Sequence, residues 1–174
     1  MKKPTVISVI GSKSSGKTTT IEALTKELTK RGYKVAAVKH ISEANFAIDT
    51  KGKDTWRFAQ AGAQKIVSAA TDEIATIEKV DTKKLLLKDI LQKCQNVDII
   101  FLEGFRKLVS QNRQIRKIVS VKSAEEALEA VNGFKPLLAF TGPYSTEKLG
   151  LKIPYADVLK YPEKLADIVE KTVL

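Results

Sequence analysis

The chain has one cysteine and one histidine in 174 residues. A single thiol, Cys94, excludes an intrachain disulfide and any zinc centre built on a cysteine cluster. It fits a reducing compartment, so a cytoplasmic location is expected. No stretch approaches the roughly 20 apolar residues that a membrane helix needs. The opening MKKPTVISVIGSK holds a short apolar run without a small-residue cleavage site, so no signal peptide is expected. Low-complexity tracts, repeats and Pro/Gly/Ser linkers are missing from the sequence. Aromatics make up 6% of it and are not interleaved with basic residues, unlike the stacking platforms of single-strand binders. Acidic residues fall short of basic ones, giving a net charge of +10, but the lysines are scattered and form no dense block. A solvated basic surface that attracts phosphorylated small ligands is therefore expected, and nucleic acid is not an expected partner.

What is present is an alternation of short β-branched runs and amphipathic segments. Thr5 to Ile10 reads as a buried strand, and Lys17 to Arg31 as a helix with Ile21, Leu24 and Leu28 on one face and a stop at Gly32. Lys34 to Lys39 is a second strand. His40 to Lys53 reads as a loop, followed by a short helix (TWRFAQAGA) capped by Asp54 and ending near Gly62. Lys65 to Ala70 and Glu73 to Glu78 are strand candidates, and Asp81 is expected to cap a helix carrying Leu85, Leu86, Ile90 and Leu91. Further strands are read at Val97 to Leu102, Arg116 to Val121 and Pro136 to Thr141, with helices at Ala124 to Val131 and from Pro162 onward. The pattern predicts one α/β domain over 1–174, with a predominantly parallel sheet covered by helices on both faces.

The stretch Gly11-Ser12-Lys13-Ser14-Ser15-Gly16-Lys17-Thr18 matches G-x-x-x-x-G-K-[ST], between a strand and a helix as that pattern requires. Gly11 lets the chain leave the strand in a tight turn, and Gly16 lets backbone approach phosphate oxygens. Successive N–H groups and the helix N-terminus form a nest for anions. Lys17 is expected to bring positive charge to the β- and γ-phosphates, and the Thr18 hydroxyl to ligate Mg²⁺.

Phosphoryl chemistry also needs an acidic group near the metal, and VDIIFLEGF offers Asp98 and Glu103. Ligands of open α/β sheets sit at the carboxyl ends of the strands, which favours Glu103, with Gly104 leaving backbone room beside the phosphates. Asp98 starts the strand, roughly 16 Å away at about 3.3 Å per residue, and reads as a strand-start cap. His40 ends the second strand at the same edge and reads equally well as a structural histidine or as a substrate or metal contact. Asp49 and Asp54 could hold Mg²⁺ or position water, or could serve only as turn and cap residues. No guanine-reading N-K-x-D motif occurs, so the residues alone do not choose between ATP and GTP.

The succession GSKSSGKTT, VKH, IDTKGKDTWRFAQAGA, DIIFLEGFRK and KIV resembles the MobB family of molybdopterin-guanine dinucleotide biosynthesis adapter proteins, from the first strand to about Val121. The resemblance implies a P-loop fold, GTP binding with at most slow hydrolysis, a homodimer, and a supporting role beside MobA, the guanylyltransferase that joins GMP to molybdopterin. It carries nucleotide contacts onto Gly11 to Thr19, including Thr19 itself, and the Walker-B-type role onto Glu103. It makes Lys39, His40, Asp49, Lys53 and Asp54 candidates near the nucleotide or the pterin. Lys107 to Arg113 is longer and more basic than the family's link at that place. A second reading is a P-loop small-molecule kinase or an ATP-dependent ligase resembling dethiobiotin synthetase. A nickel-delivering GTPase is disfavoured, because those proteins use Cys/His clusters and this chain has one of each residue.

Overall fold

The computed structural model describes residues 3–43 and 46–173. They fall into two compact units, Met1–His40 with Leu91–Leu174, and Ile41–Ile90. In chain order the first unit begins with β1 (Thr5–Gly11), α1 (Lys17–Lys30) and β2 (Val35–Lys39). The second contains α2 (Asp54–Gln60), β3 (Lys65–Ala69), β4 (Ile74–Glu78) and the start of α3 (Leu87–Gln92). The chain then returns to the first unit with β5 (Ile99–Glu103), α4 (Arg106–Val109), β6 (Arg116–Ser120), α5 (Ala124–Gly133), β7 (Leu137–Thr141) and α6 (Pro162–Glu170).

The first unit is built on a five-stranded sheet in the order β2-β5-β1-β6-β7, with every pairing parallel. Its strands read as continuous β-branched runs because both faces are covered: Ile7, Val9, Ile99, Ile100, Phe101, Leu102 and Ile118 are fully buried. Ile21, Leu24 and Leu28 of α1 and Leu165 and Val169 of α6 pack into the same core. At the solvent side of those two helices, Arg31 at the end of α1 bonds Asp167 and Glu170 of α6 at 2.7 and 2.9 Å. The expected parallel sheet flanked by helices is therefore the observed architecture. After β7 the chain makes an isolated parallel bridge, Phe140 with Tyr155, that extends the sheet edge by one residue pair.

In the second unit, β3 and β4 pair antiparallel with each other and form a separate two-stranded sheet.

Several local expectations are corrected. The N-cap of α2 is Lys53, and Asp54 is the first helical residue, paired with Arg57 at 3.6 Å rather than capping. Asp81 does cap, accepting from the Lys83 N–H at 3.1 Å, but it caps a single 3₁₀ turn, Thr82–Lys84. Leu85 is extended, and α3 starts only at Leu87. An Asp81 cap with Leu85, Leu86, Ile90 and Leu91 on one face favoured a longer helix, yet the Asp89 carboxylate accepts from the Leu86 N–H and sets a later start. The basic Lys107–Arg113 stretch opens inside α4, a helix of four residues too short to show periodicity. Of the loop expected at His40 to Lys53, residues 44 and 45 lie outside the described ones.

Candidate nucleotide site

The parallel register decides which side chains meet. Val9 pairs with Glu103 and Gly11 with Ser120, so the turn after β1 opens beside the carboxyl ends of β5 and β6. Ser8, buried in β1, donates to the carbonyls of Leu102 and Gly104 at 3.3 Å, and the Gly104 N–H donates to Val9 O at 3.1 Å. These bonds fix the Glu103 backbone against β1.

The turn itself demands glycine at two places. Gly11 has φ +154°, and a Cβ there would lie 2.3 Å from the Ser120 carbonyl oxygen. Gly16 has φ +99° and is the N-cap of α1, a left-handed conformation that L side chains rarely adopt. Between them Ser14 also has positive φ, at 58°. The loop is braced from β6 and the residues after it: Ser120 Oγ donates to the Ser15 carbonyl, and Lys122 Nζ donates to the Lys13 carbonyl at 3.1 Å. Thr20 Oγ1 returns to the Gly16 carbonyl at 2.8 Å. These bonds engage carbonyls of the loop, and the first N–H groups of a helix have no partner within it, which is the chemistry an anion nest uses.

Lys13 to Thr19, with Lys39 and Glu103, line a cleft of about 460 Å³. Lys17 Nζ folds back on the Ser12 carbonyl at 2.6 Å. Burial pushes the Lys17 ammonium below its ordinary lysine value, while the Glu103 carboxylate opposes that shift. Thr18 Oγ1 donates to Glu103 Oε2 at 3.1 Å, and Lys39 Nζ meets Glu103 Oε1 at 3.2 Å. Glu103 is 14% exposed while Lys39 is 56% exposed, so hydroxyl, ammonium and carboxylate form one cluster that opens to solvent on the lysine side at the mouth of the loop. Its oxygen donors suit a hard divalent cation. Ser15 is 1% exposed, and its Oγ, packed under Gly11, has no hydrogen-bond partner.

Of the other residues singled out in the sequence, His40 sits at the end of β2 with its N–H on the Glu103 carbonyl at 3.0 Å. Its ring meets the Phe105 ring edge-on at 5.2 Å. Asp98 lies at the opposite end of β5 and accepts from the Lys34 N–H at 2.8 Å, a strand-start cap. Asp49 and Asp54 belong to the second unit. Asp49 Oδ1 accepts from the Thr50 N–H at 2.8 Å and from Thr55 Oγ1 at 2.9 Å, and its Oδ2 is buried without a partner. Asp54 is 83% exposed. Among the described residues, no group of three or more His, Cys, Asp or Glu side chains could hold a metal ion by itself. Also among them, no helix is long and apolar enough to cross a membrane.

Sequence reading missed Ser120 and Lys122. RKIVSV signals only a strand, and their role follows from a β1–β6 adjacency that a single sequence does not reveal.

Residues 6–140 match the family model of molybdopterin guanine dinucleotide synthesis protein B, MobB. The match runs beyond Val121 to the end of the β7 core. A Methanocaldococcus jannaschii protein carrying the name of a molybdopterin-guanine dinucleotide biosynthesis adapter is 39% identical over 124 residues, covering 69% of this chain and 48% of the relative. The Haemophilus influenzae adapter protein is 34% identical over 104 residues, covering 59% of this chain and 57% of the relative. The chain thus spans about half the length of these relatives. Among solved structures, a molybdopterin-guanine biosynthesis protein B superposes with a TM-score of 0.72 at 25% identity, over 97% of this chain and 98% of that one. Bacillus subtilis MobB superposes with a TM-score of 0.70 at 25% identity, over 93% and 96%.

Proposed function

The chain belongs to the MobB family, and from that premise we propose that it is a GTP-binding adapter in the assembly of molybdopterin guanine dinucleotide, assisting a MobA-type guanylyltransferase. The observation that carries the proposal is the cluster of Thr18, Lys39 and Glu103 at the mouth of the glycine loop that holds Lys17, with the Thr18 hydroxyl 3.1 Å from the carboxylate. On this reading Gly11 to Thr19 hold the triphosphate, and Lys17 exchanges the Ser12 carbonyl for phosphate oxygens. Thr18 and Glu103 hold Mg²⁺, directly or through water, and the ion when bound neutralises phosphate charge. Asp49, with one buried carboxylate oxygen unpartnered, is kept as a further metal candidate. His40, Asp54 and Gly104 are kept as cofactor-side contacts, and molybdopterin as a candidate ligand.

Slow hydrolysis is part of the same proposal. Its lining, among the described residues, includes neither glutamine nor arginine. A group that orients water or supplies transition-state charge is worth ~10³–10⁵ in rate, which supports slow turnover in a cleft so lined. Arg106, in the lining of the neighbouring cavity on Gly11 and Ser12, is the arginine candidate to supply it.

A homodimer is part of the proposal. Phe46, Ile48, Phe58, Val67 and Ile74 of the second unit are all at least half exposed, which supports a surface that meets protein. The cytoplasm is the proposed location, from the unpaired Cys94. The whole of 1–174 is proposed to act as one nucleotide-binding domain, because a two-stranded sheet such as β3–β4 does not stand alone.

The test is reconstitution with a purified guanylyltransferase, GTP, Mg²⁺ and molybdopterin. The adapter reading expects co-purification of the two proteins and faster dinucleotide formation when this chain is added. Phosphoryl transfer from ATP to a small acceptor by this chain alone would replace it with the kinase reading.

A further inference from the structure

A second cavity, of about 170 Å³, opens from the phosphate loop on the side away from Glu103. It shares Ser15, Gly16 and Thr19 with the phosphate cleft and ends on Gly142, Pro143, Asp157, Val158 and Leu159. A nucleotide whose phosphates lie in the loop must send its nucleoside to one side, and this cavity is continuous with the loop.

The far wall is built by the bridge beyond β7. The Phe140 N–H donates to the Pro154 carbonyl at 2.8 Å and the Ala156 N–H to the Phe140 carbonyl at 3.0 Å. The Tyr155 hydroxyl donates to the Gly142 carbonyl at 2.7 Å. Two residues past Tyr155, Asp157 therefore emerges level with Gly142, at the carboxyl edge where ligands of such sheets bind. Asp157 Oδ1 accepts from the Leu159 and Lys160 N–H groups at 3.1 and 3.3 Å, which holds the carboxylate in one orientation. Asp157 Oδ2 meets only the exposed Lys160 ammonium, at 3.5 Å. Leu159 is 75% exposed although it lines a cavity, and Pro143, also in the lining, is exposed too. An apolar side chain left in this position offers a face for a flat ring.

We propose that this cavity takes the purine base and that Asp157 selects guanine, as the specificity residue that the missing N-K-x-D motif would otherwise supply. The inference rests on the reading of the loop as a GTP site. Guanine presents two adjacent donors, N1–H and N2–H₂, and the Oδ2 atom, left open while Oδ1 is held by the turn, can accept from them. Adenine presents one donor beside a lone pair at N1, which a carboxylate repels. A site built to pair a polar edge rejects the analogue that leaves it unpaired.

The experiment is calorimetric titration of the full chain and of Asp157→Asn with GTP, ATP, xanthosine triphosphate and inorganic tripolyphosphate, each with Mg²⁺. Asparagine keeps the Oδ1 that anchors the turn, so the fold is preserved. Its amide donates where the carboxylate accepted, which suits the C2 carbonyl of xanthine. The expected result is a GTP affinity lower by roughly 10- to 100-fold, the loss of one charge-assisted contact. Xanthosine triphosphate affinity rises and tripolyphosphate affinity stays unchanged. Leu159→Ser should weaken all the purine triphosphates alike. Unchanged GTP affinity in Asp157→Asn overturns the assignment and leaves the GTP reading standing, as does a loss shared equally with tripolyphosphate. A wild-type protein that binds ATP and not GTP removes the GTP reading, and the assignment with it.

Discussion

The two units of the chain spend their apolar residues differently. In the first, Ile7, Leu24, Ile99, Phe101, Ile118 and Leu165 are fully buried, and the sheet carries the phosphate loop on a rigid edge. In the second, Ile66 and Ile90 are the buried large hydrophobics among the described residues, while Ile48, Phe58, Val67 and Ile74 face outward. Burying a large side chain is worth about 1.5–3 kcal/mol, so the first unit gains far more from its own core than the second does from Ile66 and Ile90. On the proposed reading, the first unit is the one that holds the nucleotide and the second the one that meets a partner chain.

The largest effect should separate the units by stability. Phe101→Ala empties a fully buried site in β5 and should cost about 3–5 kcal/mol in chemical denaturation. A cost below about 1 kcal/mol would mean that this sheet is not the stabilising core. Next, within the first unit, the two ends of β5 should behave differently. Glu103→Gln should weaken Mg²⁺-dependent triphosphate binding by roughly tenfold, the effect of losing one charged contact near the ion. Asp98→Asn keeps the oxygen that caps Lys34 and should leave binding unchanged. The reverse order in paired titrations would place the ligand at the wrong end of the strand. The smallest effect belongs to the second unit: Phe58→Ser, at a 56% exposed site, should change monomer stability by no more than about 0.5 kcal/mol. The same variant should shift the monomer–dimer equilibrium in sedimentation. A large loss of stability without that shift would make Phe58 a core residue instead.

Legibility in the sequence followed the same division. The strands of the first unit were readable because a buried parallel strand is a continuous β-branched run, as in TVISVI and VDIIFL. The placing of Glu103 and Asp98 at opposite ends followed from strand rise alone. What was not readable depended on which strands are neighbours. Ser120 and Lys122 brace the loop only because β6 lies beside β1, and Asp157 reaches the loop's edge only through the Phe140–Tyr155 bridge. Both are pairings between distant segments that leave no local pattern. The second unit misled local rules for another reason: Asp54 and Asp81 both look like helix caps, but their duties were set by Arg57 and by a single 3₁₀ turn.

The central claim is that the Gly11–Thr19 loop is the triphosphate site, and calorimetry of the wild type against Lys17→Ala with GTP and Mg²⁺ tests it most directly. The account predicts one GTP per chain for the wild type. For Lys17→Ala it predicts affinity lowered by roughly 100-fold or more, with an unchanged melting transition, as expected when a charge-assisted phosphate contact is removed from an intact fold. GTP binding that survives in Lys17→Ala would contradict it.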